Sequence, residues 1–555
     1  MLGADRCFVY KQRVFGHTVR MLAWILEHRF AWGALLLFVV AFSLFVFLSN
    51  SSTFADPDSF YHIKLAENIA QGSITKEFRW LPFTTLAEHY TDQHFLYHVF
   101  LAPFVKYLGP FTGAKLATTL TASLLIVVFA YVMRNMGMKY PLLWGFLLLT
   151  ILPFVFRINL AKAPGFSLLI LFIGLLCAWK RWHVPLAIVS FVYAWSYGGF
   201  ILLTFFVIWL SVLRLGTRWV SERMWLARAN KRVHISWGIF FKRLFTQPDM
   251  YVVYAAILGT VLGVVVSPFF PQNLGYLNDQ LIQIGIINYR NIIDVGNEWY
   301  PQQLIQLVAN TILLTLLAVG AIVWGAIHLK RMTVRTWFLF SLFVFSLLFS
   351  LKSQRYVEYY VPLGIAFVAS AYSDILTHTN LRKVFSKIFS GRSMRVTISL
   401  YAFVIYVIIG VCVVIPRDLM AVRSGLATGF PYLKTRNAAL WLKNNTPENS
   451  IVVHSDWDEF PYLFMWDDHN RFVCGLDPTF LYRQSPDVYW AWVHFSRGET
   501  TENIPEIVTK QLQSNHVLVE KDHEKLLDIM KDEKDFAEVY EDDEASIFEY
   551  QGPEL

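Results

Sequence analysis

What most restricts the fold of this chain is a series of apolar runs long enough to cross a lipid bilayer. The first, residues 31–48, carries no charge. Others lie near 114–133, 141–156, 165–179, 184–197, 199–213, 250–268, 303–327, 336–350, 357–374 and 397–415. A helix of roughly 20 residues spans the hydrocarbon core of about 30 Å. With 55% apolar, 17% aromatic and only 16% charged residues, the chain lies outside soluble globular composition. A polytopic α-helical membrane protein of about 11 transmembrane helices is expected.

Charge is segregated along the chain. Residues 416–555 hold 26 of the 41 acids and 13 of the 48 bases, so residues 1–415 are strongly basic. The bases sit in loops between apolar runs, which argues against nucleic-acid binding and for Lys and Arg kept on the cytoplasmic side. Four cysteines, Cys7, Cys177, Cys412 and Cys474, show no metal-ligand spacing. Residues 1–30 read as a basic cytoplasmic tail before a signal anchor, because no small-residue cleavage pattern follows the first run.

One further apolar stretch, "HFLYHVFLAPFVKYLG" (94–109), decides the topology. If it crossed, the loop 214–249, with Arg214, Arg218, Arg223, Arg228, Lys231, Arg232, Lys242 and Arg243, would lie outside, against the positive-inside rule. Read as an interfacial helix, which suits His94, His98 and Lys106, it leaves every basic loop cytoplasmic. The expectation is N-terminus in and C-terminus out, with residues 31–415 forming the membrane domain. The first outer loop is then 49–113 and a later one 269–302. The tail 416–555 reads as an extracytoplasmic α/β domain, with "SIVVH", "SNHVLVE" and "ASIFEY" as strands and "EKLLDIMKD" as a helix.

This topology brings specific polar groups to the outer face. "ADPDSFYH" leaves the first span, and Pro57 keeps Asp56 out of helical conformation. Asp58 can cap the amphipathic helix 59–70. One cap does not need two acids, so Asp56 is the stronger candidate for general base or ligand of a divalent cation, with Asp58 assisting. Arg157, Lys162, Arg290, Lys352 and Arg355 suit the phosphate of a lipid-linked donor, with interfacial snorkelling as the plainer reading of any one alone. His62, His94 and His98 have no acid or Cys partner at matching spacing, which speaks against zinc. Trp195, Tyr197, Trp299 and Tyr300 read as an interfacial aromatic belt, and residues 532–546 as a solvated acidic face.

An aspartate in the first outer loop, followed by an aromatic, Tyr-His and a basic amphipathic helix, resembles the catalytic subunit of oligosaccharyltransferases, within the GT-C glycosyltransferase superfamily. "NEWYPQ" (297–302) resembles that family's Glu-bearing motif and implies Glu298 at the acceptor site. "SQRYVEYYVP" (353–362) resembles its Arg-bearing segment and implies Arg355 at the lipid phosphate. "HSDWDEFPYLFMW" (454–466) stands at its Trp-Trp-Asp-Tyr-Gly motif and implies Trp457 and Asp458 on the acceptor side. The resemblance also implies Mg or Mn, held by Asp56 and Asp58. Two departures stand out. "FRINLAKAPGF" (156–166) has Lys162 and Pro164 where the family has acids, and the acceptor motif lacks its first Trp and final Tyr-Gly.

The expected activity is transfer of a sugar or oligosaccharide from a polyprenyl phosphate or pyrophosphate to a glycan, lipid or protein acceptor outside a bacterial or archaeal cytoplasmic membrane. True protein N-glycosylation is the first alternative. A lipid-linked sugar flippase or a scaffold is the second, disfavoured because spans 31–48 and 141–156 hold no charge and no repeat is evident.

Overall fold

The computed structural model describes residues 28–228, 246–378 and 410–553. Six described helices are long and apolar enough to cross a membrane: Arg29–Ser49, Pro110–Asn135, Ile201–Ser221, Pro248–Val265, Val334–Lys352 and Gln354–Thr377. Two expected spans are bent instead of straight. Run 141–156 breaks into Pro141–Leu148 and Leu152–Ile158 at 79°, and run 303–327 into Leu304–Asn310 and Ile312–Ile327 at 98°. Pro153 in the first turn of Leu152–Ile158 has no N–H to continue the preceding helix, which accounts for the first break. Counting each bent pair once gives up to eight such spans among the described residues. Runs 165–179 and 184–197 form the shorter helices Pro164–Lys180 and His183–Ala194, and most of 397–415 lies outside the described residues.

The outer surface of Arg29–Ser49 leaves Leu35, Leu36 and Val39 exposed, as expected of a helix solvated by lipid. Close helix contact uses small residues. Gly259 lies against the backbone of Ala187, where an added Cβ would fall 2.1 Å from its carbonyl oxygen. The stretch 94–109 is helical, Phe95–Leu108, and buries Tyr97, His98 and Leu101 against its neighbours.

The tail contains a five-stranded mixed sheet. With β1 as Thr53–Phe54, β2 as Phe430–Pro431, β3 as Ile451–His454, β4 as Arg471–Phe472, β5 as His516–Glu520, β6 as Phe536–Glu541 and β7 as Ala545–Tyr550, the sheet order is β4-β3-β5-β7-β6. β3 runs parallel to β4 and β5, and β7 antiparallel to β5 and β6. Residues 532–546 are not merely an acidic face, since they contain β6, an edge strand whose charges discourage further pairing.

Two contacts fix this domain on the first loop. β1 pairs antiparallel with β2, and Gly429 beside β2 touches the loop backbone so closely that a Cβ would fall 2.0 Å from the Phe54 carbonyl oxygen. The helix Asp58–Ala70 also packs its aromatic face on the helix Phe460–Trp466, with Phe60 edge-on to Tyr462 at 5.9 Å and Tyr61 near Phe464 at 6.4 Å. Arg483 with Asp279 and Arg497 with Asp294 join the same domain to the loop before Glu298.

Candidate active site

The turn "ADPDSF" opens the helix Asp58–Ala70, and the two acids divide its work differently from the expectation. Asp56 Oδ1 accepts the Asp58 backbone N–H at 3.0 Å, so Asp56 orders the helix start. Asp58 borders a cavity of about 100 Å³, together with Tyr61, His62, Glu298, Arg355 and Asp477. The turn before the helix is held by Asp56 and the cavity is bordered by Asp58, whereas the sequence reading gave Asp58 the helix start and Asp56 the chemistry. Sequence could not decide this, because either acid can reach a backbone amide two residues on.

Lys162 lies in the connection between Leu152–Ile158 and Pro164–Lys180. Its Nζ is 2.7 Å from Asp56 Oδ2 and 2.8 Å from Asp58 Oδ2. It therefore bridges the two acids instead of standing ready for a phosphate. Burial alone would make its amine less basic, but the charges of Asp56 and Asp58 outweigh burial and hold it well above the ordinary lysine value. Burial raises the Asp58 carboxyl, against the pull of Lys162 and with the repulsion of Asp56.

A second cluster adjoins the first. Glu298 accepts from Arg157 Nη1 at 2.7 Å through one oxygen and from Arg355 Nη1 at 2.9 Å through the other. Arg157 also donates to Glu358 Oε2 at 3.0 Å, and Arg355 to Tyr197 Oη at 3.3 Å. The Arg355 guanidinium lies 5.0 Å from the Trp299 ring centroid. Burial would raise the Glu298 carboxyl, but Arg355, Arg157 and Lys162 together hold it well below the usual carboxylate range. Glu298, expected near an acceptor, thus lies between the two arginines expected at the donor phosphate.

Other expected residues are placed as follows. Arg290 donates to the Lys352 carbonyl at 3.1 Å and does not border the cavity. Trp457 packs on the Glu298 loop, with its ring 3.5 Å from where a Cβ on Gly296 would lie. Asp458 beside it is pushed up to about 7 by burial, then by Asp456 and Glu520. Tyr197 and Trp299 face the arginines rather than forming a plain aromatic belt.

Three residues escaped the sequence reading, and Tyr197 was read only as part of the aromatic belt. Glu358 is fully buried in an apolar helix, and that ionisable group among apolar neighbours was the available signal. Asp477 gave none; it caps Pro478–Gln484, borders the cavity and is raised to about 6 by burial. The third, Asp92, supplies the partner the histidines lacked. Its Oδ2 is 2.7 Å from His98 Nδ1, and His98 Nε2 is 2.7 Å from His62 Nδ1. If His98 donates to Asp92, His62 donates to His98 and retains a lone pair on Nε2. Burial, then the His98 ring, lowers His62 and keeps it neutral. These rings bond one another in a chain and do not surround an ion.

The fit of a divalent cation can be tested on these groups. Mg or Mn requires about six oxygen ligands close at hand. Here the facing oxygens of Asp56 and Asp58 hold an ammonium, and both oxygens of Glu298 hold guanidiniums. Among the described residues no group of three or more His, Cys, Asp or Glu is placed to share a metal ion. The arrangement does not fit the expected metal.

No protein-family model matches the sequence, and no curated protein matches it. Solved structures do. An archaeal oligosaccharyltransferase, AglB from Archaeoglobus fulgidus, in complex with an inhibitory peptide and a dolichol-phosphate, matches 90% of this chain and 70% of its own at 14% identity and a TM-score of 0.60. The apo form of the Archaeoglobus fulgidus oligosaccharyltransferase matches 88% of this chain and 70% of its own, at 16% identity and a TM-score of 0.57. The arabinofuranosyltransferase AftD from Mycobacteria matches 94% of this chain and 40% of its own, at 12% identity and a TM-score of 0.53. At such identities the likeness is one of fold alone.

Proposed function

We propose that this integral membrane protein is a glycosyltransferase that moves a sugar or oligosaccharide from a polyprenyl phosphate or pyrophosphate to an acceptor on the extracytoplasmic face. The observation that carries this reading is the convergence of Arg157 and Arg355 on a single anion position beside the cavity. Two guanidiniums gathered around one carboxylate suit the several oxygens of a phosphate, and their charge stabilises the leaving group as negative charge develops on it. Glu298 fixes both guanidiniums beside the cavity, and their remaining N–H groups are the donors offered to phosphate.

In the transfer, the acceptor heteroatom bonds the anomeric carbon as the carbon–oxygen bond to phosphate breaks. The phosphate departs with the electron pair, and the acceptor proton passes to Asp58. Asp58 Oδ1 suits this role, since it alone of the four oxygens on Asp56 and Asp58 has no partner among the described residues. Asp56 holds the turn, and Trp457 and Asp458 border the acceptor side.

The topology proposed is eleven spans, N-terminus in and C-terminus out. Its support is that the first loop, the Lys162 connection, the Glu298 loop and Arg355 meet at one place covered by the C-terminal domain. The altered acceptor motif favours a glycan, lipid or hydroxyl acceptor over the asparagine of N-glycosylation. The match to AglB, which was solved with an inhibitory peptide, keeps N-glycosylation as the second reading. The test is turnover of lipid-linked sugars by protein purified in detergent, with glycopeptide and glycolipid masses compared in cells with and without the gene. Absence of turnover with any lipid-linked donor refutes the transferase reading, and loss of Asn-linked glycan alone selects the second.

A further inference from the structure

The connection 159–163 carries a positive charge into the place between two acids where the sequence resemblance implied a divalent ion. The Lys162 ammonium contacts Asp56 Oδ2 and Asp58 Oδ2 at nearly equal distances, 2.7 and 2.8 Å, with its side chain 10% exposed. A divalent ion bound by those same oxygens would sit within about 5 Å of Nζ, since metal–oxygen bonds are about 2.0–2.6 Å long, and the ammonium's like charge opposes it. Nor can a third acid be recruited, because Glu298 is committed to Arg157 and Arg355.

The charges nearby give the same answer. Lys162, Arg157 and Arg355 face Asp56, Asp58, Glu298 and Glu358, a set already within one charge of neutrality. Two of the cations are guanidiniums that suit a phosphate, and the third is tethered to the backbone between two helices. A tethered cation needs no loading from solution and holds both carboxylates in fixed orientation.

We propose that Lys162 is the resident cation of this site and that transfer proceeds without a metal ion. The proposal rests on the transferase reading only for its second half. Lys162 stays an ammonium throughout, ion-paired with Asp56 and Asp58 while the phosphate leaves toward the arginines. Its removal therefore frees both acids at once, and an acid put in its place completes a third ligand for a divalent ion.

The experiment uses full-length protein in detergent, stripped with EDTA and titrated with MnCl₂ under electron paramagnetic resonance, alongside turnover measurements. Wild type is expected to bind no Mn²⁺ at this site and to change rate less than about twofold with EDTA. Lys162→Met is expected to lose about 100-fold in turnover, the scale of a removed electrostatic stabiliser, without gaining Mn²⁺. Lys162→Asp is expected to gain one Mn²⁺ per chain, lost again in Lys162→Asp combined with Asp58→Asn. A wild-type Mn²⁺ signal abolished by Asp58→Asn, EDTA inactivation reversed by Mn²⁺, or a folded Lys162→Asp chain that stays silent each overturns the proposal. Mn²⁺ titration needs no donor, so a wild type that binds no Mn²⁺ yet turns over no lipid-linked sugar sinks the transferase reading and leaves Lys162 as the site's cation.

Discussion

Arg355→Lys isolates geometry from charge at the proposed phosphate site. The guanidinium reaches Glu298 Oε1 at 2.9 Å and Tyr197 Oη at 3.3 Å through separate nitrogens, and lies 5.0 Å from the Trp299 centroid. An ammonium keeps the positive charge but presents one point, so the forked contact is lost. A hydrogen bond to a charged group contributes about 1.5–3 kcal/mol, which corresponds to about 10- to 150-fold in rate if the bond serves the leaving phosphate. The assay is single-turnover transfer from a radiolabelled polyprenyl-linked sugar in detergent, at saturating acceptor. The expected result is a fall in the rate constant of that size with acceptor KM unchanged, and a deeper fall for Arg355→Met. If a folded Arg355→Lys chain, checked by its Tm, transfers within twofold of wild type, the fork of Arg355 plays no part in departure of the phosphate.

The two acids of the first loop should separate in kinetics: Asp58→Asn lowers kcat by about 10²- to 10⁴-fold, whereas Asp56→Asn, which keeps an oxygen for the Asp58 amide and leaves Lys162 one acid, costs about tenfold; equal losses would remove Asp58 from its proton-accepting role. Glu298 is held below its ordinary value of 4.5, so the stability it supplies is complete above about pH 4.5 and is lost as pH falls through the folded value. The Tm gap between wild type and Glu298→Gln should accordingly be constant near neutrality and close on acidification. His98→Phe leaves Asp92 and His62 without their shared partner inside the fold, each orphan costing about 1–3 kcal/mol, and a Tm equal to wild type would show that the chain of rings carries no load. Gly429→Ala must displace the Phe54 backbone, so faster hydrogen exchange at Thr53–Phe54 with reduced transfer is expected, though residue 429 touches no substrate.

Hydropathy and charge sufficed for the membrane class, the strands SIVVH, SNHVLVE and ASIFEY, and the gathering of Asp56, Asp58, Arg157, Lys162, Glu298 and Arg355 into one region. Those features follow from solvation: apolar runs must leave water, and bases stay on one side, so short polar loops of like topology arrive together. Chain pattern does not encode which loop partner each charge finds. Lys162 and Asp56 are over a hundred residues apart, as are Arg157 and Glu298, and only the packing of the intervening helices sets their pairing. Hence one acid's work passed to its neighbour, a presumed phosphate ligand became a counter-ion between carboxylates, and Asp92 turned up beside His98. The membrane wrote the fold into the sequence through solubility, while the close range of hydrogen bonds left the chemistry of the site to tertiary contact.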